Sequence, residues 1–154
     1  MRIADLTSCY EKNAEALTRF AATVVGSDDA DDVVSDAVVG VLRSSPTHVD
    51  DMTAYLYRAV ANAAKKHWRS LSRRERRERA TAQTDLVDVA FADPAIAASL
   101  MALSPQQRAV VHLTYWEDLT PAMVAIHLGV SDGTVRRQLA RARSRLSEVL
   151  DGHR

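Results

Sequence analysis

An all-α fold of two small helical domains joined by an acidic linker is what this sequence predicts, and three observations carry the prediction. Apolar residues recur at the spacing of one helix face along most of the 154 residues. Five glycines and four prolines leave little material for the turns of a sheet protein. Hydroxyl and acidic residues stand immediately before the apolar runs, where helices need caps. A chain of 154 residues that is 47% hydrophobic can bury one moderate core or two small ones. The expected division is residues 1–79, a linker at 80–100, and residues 101–154.

The first helix is expected over residues 6–25, closed by Gly26-Ser27-Asp28. The second begins among Asp28, Asp29, Asp31 and Asp32, whose charges favour a helix N-terminus, and buries Val34, Ala37, Val38 and Val41. Asp32, Asp36, Val39 and Arg43 then face the other way. A proline-containing loop at 44–52 precedes the third helix, which buries Leu56, Ala59, Val60 and Ala63. Arg58, Asn62, Lys65, Arg69 and Arg73 form a polar stripe along it. Tyr55, Tyr57 and Trp68 offer rings on which bases can stack, with one of Tyr57 and Trp68 expected in the core. The run RSLSRRERRER at 69–79 reads as a basic end of this helix or a frayed tail. Residues 80–98 then lose every base and contain Asp85, Asp88 and Asp93, which marks the boundary.

Three short helices follow. Ser104-Pro105-Gln106-Gln107 supplies a capping hydroxyl, a proline at the first helical position and a glutamine to complete a capping box. Thr120-Pro121 repeats the cap-then-proline signal, and Glu117-Asp118-Leu119 is a short enough connection to keep the two helices adjacent. Gly129 can take the left-handed conformation that ends a helix and Ser131 can cap the next one, which is helix-turn-helix chemistry. On a wheel of about 100° per residue, Val135, Leu139, Ala142 and Leu146 form the buried stripe of the last helix. Thr134, Arg137, Gln138, Arg141 and Arg145 gather outward, where arginine and glutamine can bond guanine and adenine edges, while Arg136 and Arg143 lie on a flank suited to phosphates.

Net charge is zero but strongly segregated. Residues 1–64 hold five bases and ten acids, 65–80 eight bases and two acids, 81–103 three acids alone, and 104–154 seven bases and five acids. Such a layout excludes a uniformly basic coat for nucleic acid, gives acidic and basic surfaces for different partners, and fits a bridge between a large protein and DNA. The lone Cys9 allows no internal disulfide and reads as a buried small residue, and the five histidines fall in no metal-ligand spacing. No apolar run approaches the roughly 20 residues of a membrane span, and the first residues lack a signal-peptide core, so a cytoplasmic protein is expected. No nucleophile and base pair or glycine-rich phosphate loop is present, so neither an enzyme nor a cofactor is expected.

At this point the chain resembles a known family. Leu103-Ser104-Pro105-x-x-Arg108, Leu119-Thr120, Ala125-x-x-Leu128-Gly129-Val130-Ser131-x-Gly133-Thr134-Val135 and Ala140-Arg141-Ala142-Arg143-x-Arg145-Leu146 look like the upstream-promoter-reading domain of bacterial sigma factors of the extracytoplasmic-function group. A LuxR-type regulator could share this module but not what precedes it. Here the acidic start over residues 29–36 and the helix over residues 54–65 resemble the same family in the same order.

The resemblance implies a transcription initiation factor that binds core RNA polymerase and gives it promoter specificity. Asp31, Asp32, Ser35, Asp36 and Val39 would dock on the beta-prime clamp. Tyr55, Arg58, Asn62, Lys65, Lys66, Trp68, Arg69 and Arg73 would engage the melted downstream promoter element, with the 44–52 loop receiving a flipped base. Ser131, Thr134, Arg136, Arg137, Gln138, Arg141, Arg143 and Arg145 would read the upstream element. The beta flap, promoter DNA and an anti-sigma factor complete the implied partners, and the linker would thread the RNA-exit path. Two alternatives stand beside this reading. One is a dimeric helix-turn-helix regulator without sigma activity; the other is a sigma-like adaptor acting only through protein contacts, suggested by the apolar Met123 and Ile126.

Overall fold

The computed structural model describes residues 2–82 and 94–152 and, among them, contains eight α-helices and no strand. They are α1 (Ile3–Val25), α2 (Ser27–Ser44), α3 (Met52–Ser70), α4 (Arg73–Ala82), α5 (Pro94–Met101), α6 (Pro105–Tyr115), α7 (Pro121–Leu128) and α8 (Asp132–Asp151). The all-helical prediction holds.

Gly26 alone separates α1 from α2. Its φ of 103° is closed to most residues with a Cβ, so the chain can reverse there without a loop. Asp51 caps α3 by accepting from the Ala54 amide at 3.0 Å. The three helices pack mutually around Leu17, Phe20, Val33, Val34, Val41, Leu56 and Val60, all buried. Truncating Phe20 to alanine in such a site costs about 3 to 5 kcal/mol. Two details differ from the periodicity reading. Val38, Ala59 and Ala63 are only half-buried, while Val33 and Ala64 are buried, because α2 and α3 are each clasped from two sides and their apolar faces are wider than one stripe.

The basic run does not continue α3. Leu71 leaves the helix with ψ 138° and is buried, and the Ser72 hydroxyl caps a new helix by accepting from Glu75 N at 3.2 Å. Burial of Leu71 outweighs helix continuation among the arginines. The linker expected over 80–100 is also shorter at its far end, since α5 starts at Pro94 and buries Ala97 and Leu100 with Leu103, Val111, Ala142 and Leu146. Spacing of three residues gives this short helix an apolar side, and Ser99 donates its hydroxyl to Ala95 O at 2.7 Å. Asp85, Asp88 and Asp93 lie outside the described residues.

The helix-turn-helix forms as its caps dictate. Ser104 and Gln107 make both bonds of the capping box, at 3.1 and 3.2 Å. The Thr120 hydroxyl accepts from Met123 N at 3.3 Å, Gly129 is left-handed at φ 69°, and Ser131 caps α8 through the Thr134 amide at 3.2 Å. Val135, Leu139 and Ala142 are buried and Leu146 half-buried, as the wheel required.

The two halves share one core. Ala109, Val110, Leu113, Val124, Ala125, Val135 and Leu139 join the same apolar cluster as the α1 to α3 residues. Helix α6 touches α1 and α8, and α7 touches α3, so α6 buries six consecutive residues from Arg108 to Leu113.

Candidate nucleic-acid interface

Helix α8 presents its polar face as a connected set. Ser131 and Thr134 hydroxyls are 3.0 Å apart, and Arg137 Nη2 donates to Thr134 Oγ1 at 3.2 Å. This string holds Arg137 beside the helix start, the part of a recognition helix that meets base edges. Arg136 and Arg141 are exposed, and Gln138 is half-buried beside them. Arg143 is less free than the sequence suggested: its Nε donates to Tyr115 Oη at 2.8 Å, and its guanidinium lies over that ring at 5.9 Å. Arg145 pairs with Glu148 at 3.2 Å, an exposed pair worth little on its own.

The second basic surface is a groove of about 680 Å³ between α2 and α3. Tyr55, Arg58, Asn62 and Lys66 line it from α3, and Asp36, Val39 and Arg43 from α2. Two expected surfaces therefore meet at one groove, with Asp36 and Val39 on its rim. Arg43, Ser44, His67 and Ser70 also line it and were not among the predicted site residues. Arg43 was legible, four residues after Val39 on the same outward face. His67 was hidden, because it is held 3.3 Å from Asp29 across the two helices, a pairing that no spacing announces.

The other α3 candidates lie elsewhere. Lys65 is exposed toward α6 and lines a small cleft with Asn62, Pro105 and Gln106. Arg69 and Arg73 are exposed beyond the groove. Tyr57 is the ring taken by the core, 3% exposed and 5.3 Å from Phe20. Trp68 is half-buried with Arg108 over it at 5.4 Å, so one face is already covered.

On α2, Asp31, Asp32, Ser35, Asp36 and Val39 are all exposed. Leu42, 41% exposed beside Val39 at 43%, adds a second apolar group to this carboxylate face. Its signal was the three-residue spacing from Val39.

Buried polar groups concentrate where the halves meet. His112, with 4% of its side chain exposed, has Nδ1 2.9 Å from Thr23 Oγ1. Thr23 donates its hydroxyl to Arg19 O at 3.0 Å, so it accepts from His112 Nδ1–H. His112 Nε2 then faces Glu117 at 3.5 Å without a hydrogen bond. Burial, and secondly the charge of Arg19, push the imidazole down to about 4. Tyr57 is raised, first by burial and then by the nearby charge of Glu117. Burial lowers Arg108 to about 10, which leaves it charged at neutral pH. Among the described residues no group of three metal-ligating side chains occurs and no helix is long and apolar enough to cross a membrane.

Comparison with known proteins agrees with this geometry. Residues 9–74 match the Sigma-70 region 2 family and residues 94–146 the Sigma-70, region 4 family. The chain is 33% identical over 143 residues to an RNA polymerase sigma-E factor of Streptomyces avermitilis, covering 89% of this chain and 80% of that one. It is 35% identical over 135 residues to the ECF RNA polymerase sigma factor SigM of Mycobacterium tuberculosis, covering 80% and 65%. Its fold is similar to CnrH in complex with the cytosolic domain of CnrY (TM-score 0.70, 24% identity, covering 98% of this chain and 90% of that one). It is also similar to the sigma factor RpoE in complex with the anti-sigma factor NepR from Bartonella quintana (TM-score 0.68, 21% identity, covering 99% and 100%). With matches to both conserved regions, in order and over most of its length, the chain belongs to the extracytoplasmic-function group of the sigma-70 family of RNA polymerase sigma factors.

Proposed function

We propose that this sigma factor works in the cytoplasm as a non-enzymatic initiation subunit, bound to core polymerase through the α2 face and to promoter DNA through α8 and the α2–α3 groove. The observation that carries the reading is the separation of an exposed carboxylate face bearing Val39 and Leu42 from an arginine-rich helix with a capped, base-reading start. Opposite charge on α2 and α8 lets one chain bridge a basic protein surface and upstream DNA through different side chains, while Asp36 and Val39 of the α2 face also line the groove assigned to the downstream strand. Chemistry then belongs to the polymerase, and this chain supplies position.

Within that role, Arg137 and Gln138 read upstream bases, Ser131 and Thr134 orient Arg137, and Arg136, Arg141, Arg143 and Arg145 hold phosphates. Tyr55, Arg58, Asn62 and Lys66 receive the melted downstream strand in the groove, with Lys65, Trp68, Arg69 and Arg73 extending the cationic track. Residues 1–79 act as one recognition unit and residues 101–154, together with the α5 helix packed against them, as the other. An anti-sigma factor is a fitting further partner, supported by exposed Met123 and Ile126, 44% and 58% accessible on α7. In-vitro transcription with purified core polymerase on a promoter library tests the reading: specific initiation that depends on this chain supports it. Tight binding as a dimer to a palindromic duplex, with no effect on transcription, refutes it in favour of a simple regulator.

A further inference from the structure

We propose that Gly40 of α2 is a contact residue for the downstream strand, a bare stretch of helix backbone against which one unstacked nucleotide lies in the α2–α3 groove. This rests on the reading of that groove as the surface for the melted strand.

Local rules would not put glycine at this position. Gly40 lies inside α2, one turn before its end at Ser44, with no positive φ to accommodate, and there glycine is among the least favourable residues. The left-handed position that does suit glycine, immediately after the helix, is taken instead by Ser45 at φ 42°. Packing within the chain does not require it either: a Cβ built on Gly40 meets nothing within 4 Å, and the residue is exposed. A helix that forgoes a side chain without need inside the chain points to close approach from outside it.

The lining says what approaches. Gly40 borders the groove of about 680 Å³, a volume in the range of small-ligand sites. Helix α3 contributes Tyr55, Arg58, Asn62 and Lys66 to the same groove, and Arg43 stands one turn beyond Gly40 on α2. These groups match a nucleotide part by part, with cations for its phosphate, an amide for a base edge and a ring for a base face. A basic protein helix would meet Arg43, Arg58 and Lys66 with only the Asp36 carboxylate to offset them, so charge favours the anionic occupant. Width then explains the glycine. Stacked bases are about 3.4 Å apart, and a Cβ would project about 1.5 Å into the groove, nearly half of that thickness. A bare Cα lets a base or sugar reach the helix while its phosphate stays beside Arg58 and Lys66.

The test uses the holoenzyme of this chain with core polymerase, and a fluorescein-labelled single-stranded oligonucleotide carrying the downstream element of a promoter on which it initiates. Gly40→Ala should raise the thermal midpoint of the free chain by roughly 2 to 4 °C, because alanine is the better helix former and its methyl meets open space. Association with polymerase should match the parent's, while strand affinity, read by anisotropy at saturating polymerase, should fall on the order of tenfold. Gly40→Gln, longer and uncharged, should lose more. Arg58→Ala with Lys66→Ala should lose strand affinity as well. A midpoint that does not rise in Gly40→Ala would show that the chain itself needs the glycine, and overturns the proposal. Parental strand affinity in both Gly40 variants overturns it too, and a loss of polymerase association overturns it by giving the close approach to a protein helix. Parental strand affinity in Arg58→Ala with Lys66→Ala refutes instead the reading of the groove on which the proposal rests.

Discussion

Acid should loosen this protein through one histidine, and the size of the effect follows from where His112 sits. An unfolded histidine titrates near 6.5, whereas the buried His112 takes a proton only near pH 4. Because the folded value is depressed, the stabilisation is complete above about pH 6.5 and is lost progressively as pH falls toward 4. Between pH 7.5 and 5 the unfolded state gains most of a proton that the folded state refuses, which costs about 2 kcal/mol; the full loss below pH 4 is about 3 kcal/mol. The Glu117 carboxylate, 3.5 Å from Nε2, would favour the imidazolium, but burial and the charge of Arg19 outweigh it. Urea titrations at pH 7.5 and pH 5, on the parent and on His112→Leu, measure it. The variant should be less stable at pH 7.5 by about 1 kcal/mol, having lost its bond to Thr23. Its further loss on acidification should be smaller than the parent's by about 2 kcal/mol. Equal losses in both proteins would show that His112 is hydrated or charged in the folded state, and would refute its burial as the source of the acid sensitivity.

Other consequences are as direct. Asp32→Lys with Asp36→Lys should weaken association with core polymerase on the order of tenfold at low salt, less at high salt, with an unchanged circular dichroism spectrum because both residues are exposed; an unchanged titration would make this face merely solvated. Ser104→Ala removes the acceptor of the capping box and should cost about 1 kcal/mol, read as a midpoint lower by roughly 2 to 4 °C in thermal denaturation. Arg137→Ala and Gln138→Ala should relax base preference at particular upstream positions, by about 1 to 3 kcal/mol per base in a selection over randomised elements. Arg143→Ala should weaken all sequences alike and lower the salt slope by about one, and Tyr115→Phe should reproduce part of that loss by freeing the guanidinium. A changed motif from Arg143→Ala, with the parental motif returned by the other two, would reverse the face assignment.

Local rules carried the C-terminal half. Ser104, Thr120, Gly129 and Ser131 act within four residues of themselves, so their positions announced three helices and their order before any packing was known. The stripe of α8 was legible for the same reason. Helix α6 was not. Six successive buried residues have no period, and Arg108 and His112 gave no sign of burial because their partners, Trp68 and Thr23, are distant in sequence. The break at Leu71 and the helix from Pro94 were missed on similar grounds: composition reads charge and linker, whereas burial of Leu71, Ala97 and Leu100 depends on neighbours contributed by other elements. The candidate groove was half visible. Its residues could be assigned to α2 and α3, but that the two lines of residues face one another is a property of the helix pair.

The polar chain between the halves is best understood against what an apolar one would do. Leucine in place of His112 and valine in place of Thr23 would extend the cluster of Phe20, Val110 and Leu113 without interruption, and the two halves would become one permanent core. Thr23 and His112 instead hydrogen-bond one another across the two halves, with the Glu117 carboxylate 3.5 Å from the other ring nitrogen. A histidine fits this centre because a neutral imidazole packs against Phe20 and Trp116 as a ring while its Nδ1–H bonds the Thr23 hydroxyl across the two halves.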